Sequence, residues 1–167
     1  CISCKPVATG ADPPMTTPED RLDALGIELP APMKPVATYV PFVITGNMLF
    51  VSGQVSATAT GRINGRLGDD MELSAGQHAA RQCGINLIAQ CKAAVCDLSR
   101  IKRVVKLGGF VNAAPHFTDI PQVINGCSDL MVEVFGDAGR HARSAVACPV
   151  LPMGVAVEVD GIFEITG

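Results

Sequence analysis

Near the end of the chain, apolar and acidic residues take turns. Val155, Val157, Val159, Phe163 and Ile165 hold odd positions while Glu158, Asp160 and Glu164 hold even ones, the period-2 pattern of a strand with one face in the core and one in water. Before it, residues 143–150 form a run of small and β-branched residues closed by Pro149, and Leu151-Pro152-Met153-Gly154 supplies turn residues between the two. The pair reads as antiparallel neighbours. Upstream, residues 39–44 and 48–55 are apolar runs flanking Thr45-Gly46-Asn47, a hairpin signal, and Gly53 in the second run leaves room for another backbone or a ligand. Ala80, Gly84, Leu87, Cys91 and Ala94, spaced by four and three, predict a helix over 72–96. A strand over 101–111 follows, with Gly108-Gly109 marking a bulge or close packing. Thr118, Asp119 and Pro121 then open a second long helix, whose core face runs from Ile120 through Val123, Cys127 and Leu130 to Phe135 and which stops at Gly136.

Ahead of these elements, Thr17-Pro18-Glu19-Asp20 combines an N-cap, a first-turn proline and two acids, starting a short helix that ends at Gly26. Residues 1–17, with Pro6, Gly10, Pro13 and Pro14, read as a flexible leader. Residues 18–35 read as the short helix and a linker, 36–167 as the main domain, and the Gly-rich stretch 58–70 as a loop that orders on assembly. The order hairpin, helix, strand, helix, strand, strand makes a two-layer α+β fold, a mainly antiparallel sheet with two helices on one face. The sheet's other face carries more Val and Ala than a solvated face would, which points to self-association.

Composition strengthens that last point. A chain of 167 residues supports one domain, and 48% hydrophobic residues with a mean hydropathy of +0.32 exceed what a small monomer needs to bury. The net charge of −3, the absence of Trp and the single Tyr leave neither a basic footprint nor a stacking platform for nucleic acid. No apolar stretch reaches the length of a membrane span, and the start lacks the charged and apolar regions of a secretory signal. Seven cysteines, five of them inside expected helices or strands, fit a reducing compartment: the cytoplasm, with mitochondria left open. Cys1 and Cys4 have CxxC spacing, but no second pair completes a zinc set.

Candidate chemistry is sparse. His78, His116 and His141 have no ligand partner at helical spacing, so no metal is expected; no Ser sits in a nucleophile-elbow motif, and no glycine run has a phosphate-loop frame. What remains is Arg143 and Glu158, an Arg and a Glu set into otherwise apolar strands. A guanidinium grips a carboxylate with two parallel hydrogen bonds, and a carboxylate takes a proton from water, so together they could bind a small acid and hydrolyse it. The plainer reading of the same pattern is a surface strand with solvated charges.

His-Ala-Arg-Ser-Ala-Val at residues 141–146, followed by Leu151-Pro152 and Val157-Glu158-Val159, resembles the C-terminal signature of the Rid (reactive intermediate deaminase) family, also called YjgF-like or L-PSP-like. Tyr39, Gly46-Asn47-Met48 and Val51-Ser52-Gly53-Gln54 resemble its N-terminal hairpin motif. The resemblance spans residues 36–165 and implies a chorismate-mutase-like α+β fold, a homotrimer, and three clefts between adjacent subunits. It implies hydrolysis of enamines and imines such as 2-aminoacrylate and 2-iminobutyrate to 2-keto acids and ammonia, without metal or cofactor. On that pattern Arg143 holds the substrate carboxylate with the backbone N–H of Ala145, Glu158 positions or deprotonates water, and Tyr39, Ser52, Gly53 and Asn125 line the cleft. The chain departs from the pattern in having Ala145 where Cys is common and His141 where Pro is common. Two other activities go with the resemblance: endoribonuclease action on mRNA, and non-catalytic binding of a small carboxylate by the trimer.

Overall fold

The structure, a computed structural model, describes residues 16–32 and 38–166. The expected leader therefore lies outside the described residues except for its last two positions, as does the end of the expected linker. Helix α1 (Pro18–Ala24) starts as the sequence dictates: Thr17 Oγ1 accepts from the Asp20 N–H, and the Asp20 carboxylate accepts from the Thr17 N–H. It docks through Glu19, which pairs with Lys92 and caps the Leu98 N–H, and through Arg21, which donates to the Val134 carbonyl.

Strands β1 (Phe42–Thr45) and β2 (Met48–Val55) form the expected hairpin, with Gly46 at φ +58° in its turn. Residues 58–70 are more ordered than an open loop. β3 (Ala57–Thr58) and β4 (Gly61–Arg62) pair as a small hairpin, and Asn64 and Leu67 bridge onward to Val155 and Ala113. The hairpin forms because Ser56 Oγ donates to the Ile63 carbonyl and Asn86 of helix α2 (Leu73–Val95) donates to the Val55 and Ala57 carbonyls, giving this polar stretch fixed partners.

Strand β5 (Ile101–Asn112), helix α3 (Ile120–Phe135), strand β6 (Ala142–Cys148) and strand β7 (Val157–Ile165) complete the chain. The five-stranded sheet has the order β1-β2-β7-β5-β6. This corrects the expected pairing of the last two strands. β6 does not pair with β7; it runs parallel to β5 at the sheet edge, while β7 lies antiparallel between β2 and β5. The physical reason is the helix between β5 and β6: a strand-helix-strand crossover returns the chain in the same direction, and the turn after β6 then carries it across β5 rather than folding it back. Met153 and Gly154, at φ +58° and +70°, make that turn.

Both long helices cover one face of the sheet and run in the same direction, with Gln77 Nε2 donating to the Gln122 carbonyl and Arg81 paired with Glu133 further along. Leu49, Val51, Val104, Leu107, Val111, Val157, Val159 and Phe163 meet them in the core. The opposite face is open. Its side chains include Val43, Phe50, Phe110, Glu158, Asp160 and Ile162, and Val43 and Phe50 are 50% and 41% exposed. The two faces alternate along β7 as the period-2 pattern requires.

Candidate active site

Edge strand β6 presents Arg143 opposite Leu107 of β5, on the helix-covered side of the sheet. Its side chain reaches α3, where Nη1 donates to Asn125 Oδ1 at 2.8 Å and to Ser128 Oγ at 3.0 Å. Both partners are neutral, three residues apart on one helix face. Among the described residues no carboxylate pairs with this guanidinium, although Arg143 is half-buried. Two bonds consume both hydrogens of Nη1, so the Nε–H and Nη2–H edge, the geometry that matches a carboxylate side-on, stays open. Ala145 follows two residues later on the same side of β6, beside Gly109.

The opposite face holds a groove of about 670 Å³ lined by Tyr39, Phe50, Ser52, Gly53, Pro152, Glu158, Asp160 and Ile162. A bulge in β2 between Val51 and Gln54 pushes Ser52 and Gly53 out of the ladder with β7. Gly53 leaves room for this placement of the acid, because a Cβ on it would fall onto Glu158 Oε1 and lie 3.0 Å from Cδ, displacing the carboxylate. Ser52 ties down the segment bearing Tyr39: its N–H donates to the Pro41 carbonyl and its Oγ to the Val40 carbonyl at 2.7 Å. Gln54 Nε2 supports the bulge from below through the Ser52 and Gly53 carbonyls.

Burial, helped by the neighbouring Asp160 charge, raises the Glu158 carboxyl above the ordinary glutamate value. Asp160 is raised too, mainly by burial, against the pull of the Gly108 N–H and of Lys106. A Cβ on Gly108 would lie 2.6 Å from Asp160 Oδ1, so a glycine gives each acid its place.

Tyr39, Ser52, Gly53 and Glu158 are thus gathered in one groove, and Arg143, Asn125 and Ala145 are gathered on the other side of the sheet. The two sets are not brought together within one protomer. Three further residues belong to these surroundings without having been singled out from the sequence as site residues: Asp160, Ser128 and His141. Asp160 was visible as an even-position neighbour of Glu158, whereas Ser128 carries no sequence signal. Among the described residues no set of three His, Cys, Asp or Glu side chains gathers as a metal site, and no helix is long and apolar enough to cross a membrane.

This architecture has close counterparts. Protein TCP17 of Trypanosoma cruzi is 48% identical over 147 residues, covering 87% of this chain and 92% of that protein. Protein Atu1372 from Agrobacterium tumefaciens matches with a TM-score of 0.84 and 46% identity, over 89% of this chain and 92% of that one. A structure from Shewanella oneidensis described as a "putative endoribonuclease" matches with a TM-score of 0.86 and 39% identity, over 89% of this chain and 99% of that one. The family model described as "YjgF/chorismate_mutase-like, putative endoribonuclease" matches residues 19–164. With nearly the whole chain covered, in fold as in sequence, the protein belongs to the YjgF/chorismate-mutase-like family.

Proposed function

We propose that the protein is a cofactor-independent deaminase that hydrolyses small 2-imino acids and their enamine tautomers, such as 2-iminobutyrate and 2-aminoacrylate, to 2-keto acids and ammonia. The observation that carries this reading is Arg143: a half-buried guanidinium held by two neutral acceptors, with its carboxylate-matching edge open and no carboxylate among the described residues paired with it, Asp129 lining the same pocket without bonding to it. Substrate carboxylate takes that edge. Glu158 accepts a proton from water as the water oxygen attacks the carbon of the protonated imine, giving a neutral carbinolamine. It returns that proton to the amine nitrogen and takes the hydroxyl proton as the carbonyl forms, the C–N bond breaks and ammonia leaves. A carboxyl raised above its ordinary value suits both directions of transfer.

Because Arg143 and Glu158 lie on opposite faces of one sheet, a shared cleft needs a second copy. The family resemblance implies that the working unit is a homotrimer, with Arg143 and Asn125 of one copy closing over the groove of the next. Tyr39, Ser52 and Gly53 line the cleft on the Glu158 side, and the Ala145 backbone assists at the carboxylate. The test is ammonia release from freshly generated 2-iminobutyrate. Arg143→Ala lowers kcat/KM at least ~100-fold, the size of a lost charge-assisted bidentate contact; an unchanged rate in that variant ends the proposal. The endoribonuclease named for the Shewanella relative needs phosphates beside two carboxylates in the groove, an unfavourable pairing. RNA cleavage that survives purification and is lost in Arg143→Ala would reverse this preference, and 2-keto acid binding without turnover would leave a small-carboxylate-binding trimer.

A further inference from the structure

The geometry points to Ser128 and His141 as positioning residues that hold the Arg143 guanidinium in the orientation that reads a carboxylate, an inference that rests on the substrate-binding role proposed for Arg143. His141, just ahead of β6, places Nδ1 2.6 Å from the Gly139 carbonyl and Nε2 3.0 Å from Ser128 Oγ. A carbonyl only accepts, so Nδ1 carries the proton and the Nε2 of a neutral ring is a lone pair. The Ser128 hydroxyl must then donate to Nε2, which turns its own lone pairs toward Arg143 Nη1, 3.0 Å away. One proton arrangement satisfies the whole chain from the Gly139 carbonyl through His141 and Ser128 to Arg143. Without His141 the hydroxyl is free to rotate, and the guanidinium keeps only Asn125 as a fixed partner.

The surroundings keep the imidazole neutral. Burial lowers its pKa below the ordinary histidine value, against the pull of the Gly139 carbonyl, and the Arg143 charge adds to the lowering. The other charged groups nearby are Asp129 on α3, Arg140 beside it in the chain, and Asp137, which already pairs with Arg140 at 3.4 Å. Together Ser128, Asp129, Val132, Arg140, His141 and Arg143 line a pocket of about 270 Å³, leaving this relay at the wall of an accessible site rather than in the core.

The experiment compares 2-iminobutyrate with its uncharged amide in wild type, Ser128→Ala, His141→Ala and His141→Gln. The expected result is a KM for the carboxylate substrate raised about tenfold in both alanine variants with kcat changed far less, and an amide KM that does not move. His141→Gln, whose side-chain oxygen can still accept from Ser128, recovers most of the loss. Nitrogen NMR of the unaltered protein shows the His141 ring with its proton on Nδ1, and Ser128→Ala shifts the Arg143 Nε–H resonance. Equal carboxylate KM values in all four proteins, or a ring protonated on Nε2, overturn the inference. If the wild type turns over nothing, the deaminase reading fails separately. Calorimetric affinity for 2-ketobutyrate and the two NMR signals then still decide whether the relay holds Arg143.

Discussion

Glu158 and Asp160 stand two residues apart on one strand face, each partly stripped of water and each set against a glycine. Their raised pKa values mean that folding disfavours the ionised form. The penalty is present at neutral pH and is relieved as pH falls through the folded-state value toward the ordinary one, the reverse of a salt-bridged carboxylate. Glu158→Gln should therefore abolish imine hydrolysis while raising Tm at pH 7 by ~2 °C, a modest figure because both groups keep solvent contact. The gain should shrink as the pH is lowered through the folded-state value toward the ordinary glutamate one, which scanning calorimetry at several pH values checks. That Arg143 and Glu158 stand on strands was legible in the sequence because a charge inside an apolar strand is conspicuous, while the roles proposed for them rest on the family resemblance. The Ser128-His141 link was not, since it joins a helix to the approach of a strand thirteen residues away and depends on which ring nitrogen meets a carbonyl.

At the scale of elements, the contact between α2 and α3 depends on small residues. A Cβ on Gly126 would run into the backbone carbonyl of Gln77, and one on Gly84 would lie 3.0 Å from Leu130 Cδ2. Backbone cannot step aside as a side-chain tip can, so Gly126→Ala forces the helices apart, at a cost of about 2 kcal/mol. That corresponds to a Tm lower by roughly 5 °C or more in a chain of this length. Asn125 and Ser128 ride on the displaced helix, so the same variant should also raise the KM for imine, which steady-state kinetics reads out. Helix positions and faces were legible because their apolar spacing depends only on local geometry. The pairing of β6 was not, because period-2 alternation says which face a residue takes and is silent on which strand lies beside it. Only the crossover through α3 decides that, and the turn-rich sequence at 151–154 imitates a hairpin loop while serving as a bridge over β5.

At the scale of the molecule, the uncovered sheet face and the placement of Arg143 and Glu158 on opposite sides of the sheet both fit the trimer proposed above. Val43, Phe50 and Ile162 lie side by side across β1, β2 and β7, an apolar stripe that forms part of the wall of the Glu158 groove. Phe50→Asp should leave the helical circular dichroism intact, convert the oligomer to monomer in light scattering, and remove activity with it. From the sequence, the apolar residues on this face pointed to self-association and the family resemblance implied clefts between subunits; the structure adds that Arg143 and Glu158 lie on opposite faces of one sheet. That division gives a sharper test. Arg143→Ala and Glu158→Gln should each be inactive alone. In a cyclic trimer every cleft takes its arginine from one copy and its glutamate from the next. When the two variants are unfolded together in equal amounts and refolded, a cleft is complete only if the arginine donor is the glutamine variant and the glutamate donor is the alanine variant. Random assembly makes that about one cleft in four, so the mixture should recover about a quarter of the wild-type rate. A site contained in a single protomer would recover nothing, since no copy in the mixture carries both residues, and ammonia release from the refolded mixture separates the two architectures directly.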